Sequence, residues 1–249
     1  MSEEIYDKMW QRFKVASKTD QYELDSHLLD LPNDTRRGIT ALAYLKQGNN
    51  ALLDEIMRFQ EAVSILEPDQ YYHPREELHL TILSIISCVA NFEITHINAQ
   101  SYVEVFNKVV GSIAPIEIEY KGISASENCI ILQGFPMGNG LEQFRNKLRE
   151  ALVEEGLRVT FDSRYKQVTA HSSLIRFRSP INNAQRLFNL CEQYRNHTFG
   201  RITLNDFELV FNNWYQHLDI TQSLSRTCIS LNTNTKSLAE AQRRCLSIH

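Results

Sequence analysis

Two short apolar runs, Glu77-Leu78-His79-Leu80-Thr81-Ile82-Leu83 and Thr169-Ala170-His171-Ser172-Ser173-Leu174-Ile175, constrain any fold this chain adopts. Each holds a histidine and a hydroxyl residue two apart, and on an extended strand such residues point to the same face. The histidines stand 92 residues apart, one in each half of the chain. A fold that joins the two strands aims two imidazoles and two hydroxyls into one cleft. One His-x-Ser/Thr means little by itself, since about one arises by chance among eight histidines. The weight lies in both copies opening a β-rich run. The competing reading is a pair of half-buried strand histidines bonded to their neighbours.

With 249 residues, 43% of them hydrophobic, the chain can build one large domain or two small ones without disulfides or metals. A net charge of −4 argues against a broad basic surface that coats nucleic acid, though not against a small basic patch. Cys88, Cys129, Cys191, Cys228 and Cys245 are scattered and odd in number, which reads as reduced thiols in a cytoplasmic protein. The acidic start, Met1-Ser2-Glu3-Glu4, lacks the pattern of a secretion signal, and no run of about 18 apolar residues predicts a membrane span.

Ile5, Met9, Trp10, Phe13 and Val15 predict an amphipathic helix over 4–16, and residues 1–37 read as a helical arm added to the fold. A strand over 39–45, a helix over 52–66 stopped by Pro68, and the first motif strand make a β-α-β unit. A helix over 98–113 and strands over 116–120 and 128–135 complete a first lobe, 38–135. The pattern then restarts. A helix over 141–155, the second motif strand over 168–177, a helix over 181–194 and strands over 201–204, 207–211 and 226–231 form a second lobe, 136–231. Residues 232–249 read as a weak terminal helix or tail. The expected class is α+β, with two related lobes facing each other.

Leu78-His79-Leu80-Thr81-Ile82 and Ala170-His171-Ser172-Ser173-Leu174 resemble the paired His-x-Thr/Ser signatures of the 2H phosphoesterase superfamily. That superfamily includes bacterial 2′-5′ RNA ligase-like proteins and 2′,3′-cyclic nucleotide phosphodiesterases. The resemblance covers about residues 38–231 and implies a bilobal fold: two pseudo-symmetric β-sheet lobes with outer helices and a central cleft. It also implies metal-independent hydrolysis or transfer at a cyclic or 2′-5′ phosphodiester of a nucleotide or RNA end, without a cofactor. His79 and His171 would be the acid–base pair, and Thr81 and Ser173 would hold the non-bridging oxygens. The chain departs from the commoner pattern in having Ser173 for threonine and Ala170 where a proline often stands.

The chemistry agrees. Attack on a phosphodiester needs a base for the incoming oxygen and an acid for the leaving one, and imidazole serves either role near neutrality. Arg176 lies five residues after His171, where some members of the superfamily carry an arginine thought to contact phosphate. Strict alternation points it away from His171, so that role needs a bend or a position at the strand end, and a solvated arginine is the plain alternative. Tyr72 and Trp214 are candidates for stacking on a base at the cleft mouth, against the simpler reading as core aromatics. Arg36 and Arg37 read as a solvated loop. His27, His73, His96, His197, His217 and His249 show no metal-ligand spacing, and no glycine-rich phosphate loop exists. The expected partner is a nucleotide or RNA-end phosphodiester, with no membrane and no indicated oligomeric state. Two rivals stand beside this: a nucleotide- or RNA-end-binding module with weak or lost catalysis, and a protein-interaction domain.

Overall fold

Residues 2–48, 50–161 and 166–229 are described by a computed structural model. The tail over 232–249, and Ser230 and Leu231 of the expected last strand, lie outside the described residues. The elements run α1 (Ser2–Thr19), β1 (Arg36–Tyr44), α2 (Asn50–Leu66), β2 (Tyr71–Tyr72), β3 (His79–Ala90), α3 (Ala99–Val110), β4 (Ile116–Ala125) and β5 (Cys129–Pro136). There follow α4 (Gly140–Glu154), β6 (Ser172–Arg176), α5 (Ala184–Gln193), β7 (Thr198–Leu204), β8 (Asp206–Asn212) and β9 (Gln222–Cys228).

The fold is α+β, as expected, with two antiparallel sheets ordered β3-β1-β8-β9 and β2-β6-β5-β4-β7. Each sheet carries one motif: β3 opens on His79, and β6 begins just after His171. The sheets do not divide the chain at 135/136. β8 and β9 return to the sheet of β1 and β3, while β2, β4 and β5 join the sheet of β6. Successive strands change sheets both through the single residue Asn205 between β7 and β8 and through the longer segments that carry α2 and α3, a freedom that periodicity along the chain does not record.

α2 buries the face its spacing predicts, whereas α1 buries Tyr6 and Ala16 beside Trp10 and Phe13 and leaves the expected Val15 exposed. Leu52, Leu53, Ile56, Phe59 and Val63 of α2 are buried, and Pro68 lies just past the end of the helix. The described part, 2–37, of the stretch read from sequence as an added arm is built into the fold. Tyr6, Trp10, Phe13 and Ala16 form one buried stripe, and Trp10 lies 5.2 Å from the Phe188 ring of α5. The Tyr6 hydroxyl donates to the Gly134 carbonyl, and the Ser124 hydroxyl donates to the Tyr6 carbonyl. Arg36 and Arg37 belong to β1 rather than to a loop.

β3 is not a simple alternating strand. Against β1 the register passes from Ala41↔Leu83 to Leu42↔Thr81 and from Ile39↔Ile86 to Thr40↔Ser84, so β3 holds one extra residue at each step. Such bulges reset which face a side chain takes. Ile82, Leu83, Ile85 and Ile86 are consequently all buried, while Thr81, Ser84 and Ser87 recur at every third position on the open side.

Candidate active site

The cleft between the motif strands holds a cavity of about 220 Å³. His79, Thr81, His171, Ser173, Arg176 and Trp214 all line it. The structure thus brings together every sequence-derived candidate except Tyr72. Among the described residues lining the cavity, Arg176 is the one Lys or Arg, and no Asp or Glu is present. No three described His, Cys, Asp or Glu side chains are grouped to hold a metal ion.

Arg176 reaches the cavity through another bulge. β5 and β6 pair as Ile130↔Ile175 and then Ile131↔Ser173, so β6 carries one extra residue between them. Leu174 and Ile175 both turn inward, and Ser173 and Arg176, three apart, share the cavity face. Strict alternation forbids that arrangement and the bulge supplies it. The guanidinium lies 3.9 Å from the Asp25 carboxylate and keeps an unpartnered Nε.

Tyr72 is excluded by the same pairing rule. In the β2–β6 ladder Tyr71 faces Arg176 and Tyr72 faces Ile175, so Tyr72 takes the inward side. Its hydroxyl donates to the Glu67 carbonyl, and its ring packs against the core. A stacking role for Tyr72 is not met.

Each catalytic candidate is held from behind. His79 Nδ1 lies 2.7 Å from the Glu77 carbonyl, an acceptor only, so Nδ1 carries the proton and the neutral ring has its lone pair on Nε2. His171 Nδ1 lies 2.8 Å from the Thr169 hydroxyl. The two motifs are also tied to each other, because the Ser172 hydroxyl donates to the His79 carbonyl at 2.6 Å. Gly134 lets β5 approach the residue before His171: a Cβ there would lie 1.9 Å from the Ala170 carbonyl oxygen.

Arg145 of α4 is the residue that sequence reasoning passes over. It is 3% exposed, and its guanidinium donates to the carbonyls of Ile82 (2.8 Å), Thr81 (3.0 Å) and Thr169 (2.9 Å). One side chain therefore clamps both motif segments. A signal was present: Arg145 shares its stripe with Leu141, Phe144, Leu148 and Leu152, all buried.

Burial holds the imidazoles of the site neutral. Desolvation, with the positive charge of Arg145 and then Arg176 nearby, pushes the His171 imidazole down to about 4. Burial also lowers His79, opposed by its bond to the Glu77 carbonyl and reinforced by Arg176. His73, a third imidazole on the cavity wall, is driven well below the usual range by burial and then by Arg176.

No protein-family model matches the chain, and no curated protein matches it either. Solved structures do. The crystal structure of TT0787 of Thermus thermophilus superposes with a TM-score of 0.53 at 14% identity, over 77% of this chain and 97% of its own. A crystal structure of phosphoesterase gives 0.50 at 13%, over 78% of this chain and 99% of its own. E. coli LigT complexed with 3′-AMP gives 0.47 at 13%, over 78% and 99%. At these identities the likeness is one of fold alone, an α+β fold shared with these structures. Among the described residues no helix is long and apolar enough to cross a membrane.

Proposed function

We propose that the cavity is the active site of a metal-independent phosphodiesterase acting on a cyclic or 2′-5′ phosphodiester of a nucleotide or RNA end. The observation that carries this is the convergence of His79, His171, Thr81, Ser173 and Arg176 on one cavity whose lining has no carboxylate among the described residues. One imidazole takes a proton from the attacking water as its oxygen bonds phosphorus, and the other gives a proton to the leaving oxygen as the P–O bond breaks. The hydroxyls and Arg176 offer donors to the equatorial oxygens, whose charge grows in the transition state. By family analogy His171 is the base and His79 the acid, roles that the reverse reaction exchanges. The fold shared with a structure described as a phosphoesterase supports the reading. Cys88, Cys129 and Cys191 stand as thiols, which suits a reducing, cytoplasmic setting.

The test is a panel of 2′,3′-cyclic mononucleotides, 2′-5′ dinucleotides and cyclic dinucleotides assayed in EDTA. Turnover of one class, lost in both His79→Ala and His171→Ala, is expected. Activity that vanishes in EDTA and returns with Zn²⁺ or Mn²⁺ defeats the mechanism. A second reading, a nucleotide-binding module without turnover, draws support from the lowered pKa of both imidazoles, which leaves the protein by itself without a charged acid in the site at neutral pH. That reading expects binding without turnover, undiminished in the double histidine variant.

A further inference from the structure

Four side chains on the cavity wall carry buried polar atoms that lack a hydrogen-bond partner: both ring nitrogens of His73, Nε of Arg176, Oδ1 of Asn212 and Oε1 of Gln216. Such atoms are costly to leave unpaired, and their gathering on one cavity points to a ligand that satisfies them. A phosphodiester brings oxygen acceptors, which suit Arg176. It offers nothing to an amide oxygen. Asn212 and Gln216 call for a part of the ligand that carries N–H or O–H donors.

Asn212 and Gln216 flank Trp214 in Asn212-Asn213-Trp214-Tyr215-Gln216, the segment that leaves β8. The even-numbered residues line the cavity, while the odd-numbered ones anchor the segment from behind. Asn213 Oδ1 accepts from the backbone N–H of Tyr215 and of His217, and the Tyr215 hydroxyl donates to Asp25 at 2.8 Å. Asn212 Nδ2 donates to the Asn213 carbonyl at 2.7 Å, which assigns Oδ1 as the atom left over. Gln216 has φ 63°, a left-handed conformation that a side-chain-bearing residue holds at a cost. Trp214 is 37% exposed, with the guanidinium carbons of Arg36 and Arg176 lying 5.6 and 5.9 Å from its ring centroid. The result is a comb of amide, indole and amide on an anchored backbone beside the two histidines.

We infer that this comb reads a nucleobase: the Trp214 indole takes the face of the base, and the Asn212 and Gln216 oxygens, turned from the wall into the cavity, accept from its exocyclic amino group. The substrate is then a phosphodiester of an amino-bearing nucleoside, selected over one whose base lacks that group. A site with amide acceptors leaves them unpaired when the amino group is missing, and this mismatch, more than the lost contact, creates selectivity. The inference rests on the phosphodiesterase reading above and adds the nucleoside to it.

The experiment compares kcat/KM for adenosine 2′,3′-cyclic phosphate and purine riboside 2′,3′-cyclic phosphate, which differ only in the amino group. A preference for adenosine of about tenfold or more is expected, falling to within about threefold in Gln216→Gly and in Asn212→Ser. Glycine suits the left-handed backbone at position 216, and thermal melts establish that each variant is folded. Equal kcat/KM for the two substrates in the unmodified protein overturns the inference whatever the variants do, and so does a preference that survives in both folded variants. If neither substrate is turned over, the phosphodiesterase reading is judged separately, by the full panel above. The comb is then judged by the Kd of 3′-AMP against that of purine riboside 3′-monophosphate, where equal affinities overturn it and a tenfold-or-so difference upholds it.

Discussion

Replacing Arg145 with methionine removes a clamp without emptying its space, and two opposing magnitudes set the outcome. Arg145 carries its charge in a buried site where its hydrogen bonds go to carbonyls; burial, then repulsion from Arg149, pushes its pKa down from the ordinary guanidinium value to about 10. At 1.36 kcal/mol per pKa unit, holding that charge costs the fold roughly 3 kcal/mol, which Arg145→Met returns. Against this, the carbonyls of Thr81, Ile82 and Thr169 lose their guanidinium donors, and a buried acceptor left without a partner costs about 1–3 kcal/mol. Only part of the combined loss is recovered, and the net destabilisation is about 3 kcal/mol. In a domain of this size that lowers Tm by roughly 6–12 °C.

Activity should fall further than stability does. The three carbonyls belong to the segments that present Thr81 and His171, and a displacement of about 1 Å at a reacting group costs on the order of a hundredfold in rate. Thermal unfolding gives the first quantity, and kcat measured well below the melting transition gives the second. Arg145→Lys keeps a charge but lacks the planar fork that reaches both segments, so it should recover less of kcat than of Tm. Refutation is simple: Arg145→Met with an unchanged melt and wild-type turnover shows that the clamp is incidental.

Stability should fall on acidification. His171, His79 and His73 are all held below the ordinary imidazole value in the fold, so below about pH 6.5 the unfolded chain binds more protons and unfolding gains. The contribution of His171 is complete above that pH and declines by about 3 kcal/mol as pH drops to its folded value near 4, which pH-dependent denaturant melts will read; a flat profile between pH 7 and 5 contradicts buried neutral imidazoles. The pH profile of kcat/KM should be a bell on the acid side of the usual histidine value, and Arg176→Gln should move both limbs to higher pH by removing the charge that depresses both rings. A bell that does not move shows that this charge is not felt at the histidines. Thr81→Ala and Ser173→Ala should each lower kcat on the order of a hundredfold with the fold intact, and unchanged rates in both would mark the hydroxyls as structural. Binding of 3′-AMP near neutral pH should draw about one proton from solution, seen by calorimetry in buffers of different ionisation enthalpy; zero uptake contradicts an imidazole charged by the ligand.

Much of this was legible in the chain because periodicity reports faces. Trp10 and Phe13 in α1 and the run from Leu53 to Val63 in α2 announce which side is buried. What periodicity does not report is the partner. The bulges that bring Arg176 beside Ser173 and line up Thr81, Ser84 and Ser87 arise from counts on the opposing strand, which single-strand alternation cannot contain. Tyr72 and Tyr71 are equal candidates by type, and only the pairing of β2 with β6 settles which face each takes. Arg145 was visible as an arginine on an apolar stripe, but its function depends on carbonyls contributed by segments far away in sequence. The return of β8 and β9 to the first sheet is likewise a fact of topology and leaves no mark on composition.

The lowered imidazole pKa values stand against acid–base catalysis until the charge of the ligand is counted. The protein by itself presents Arg176 and two neutral rings to the cavity, with no carboxylate among the described lining residues to stabilise an imidazolium. A phosphodiester enters with one negative charge, which offsets Arg176 and places an anion against the rings in a site where burial weakens screening. Both effects favour protonation of one histidine, while the other retains its lone pair for the attacking water. On the proposed mechanism the acid forms with the substrate and not before it. That arrangement leaves the cavity inactive toward uncharged esters, because an uncharged ligand gives neither ring a reason to take up a proton.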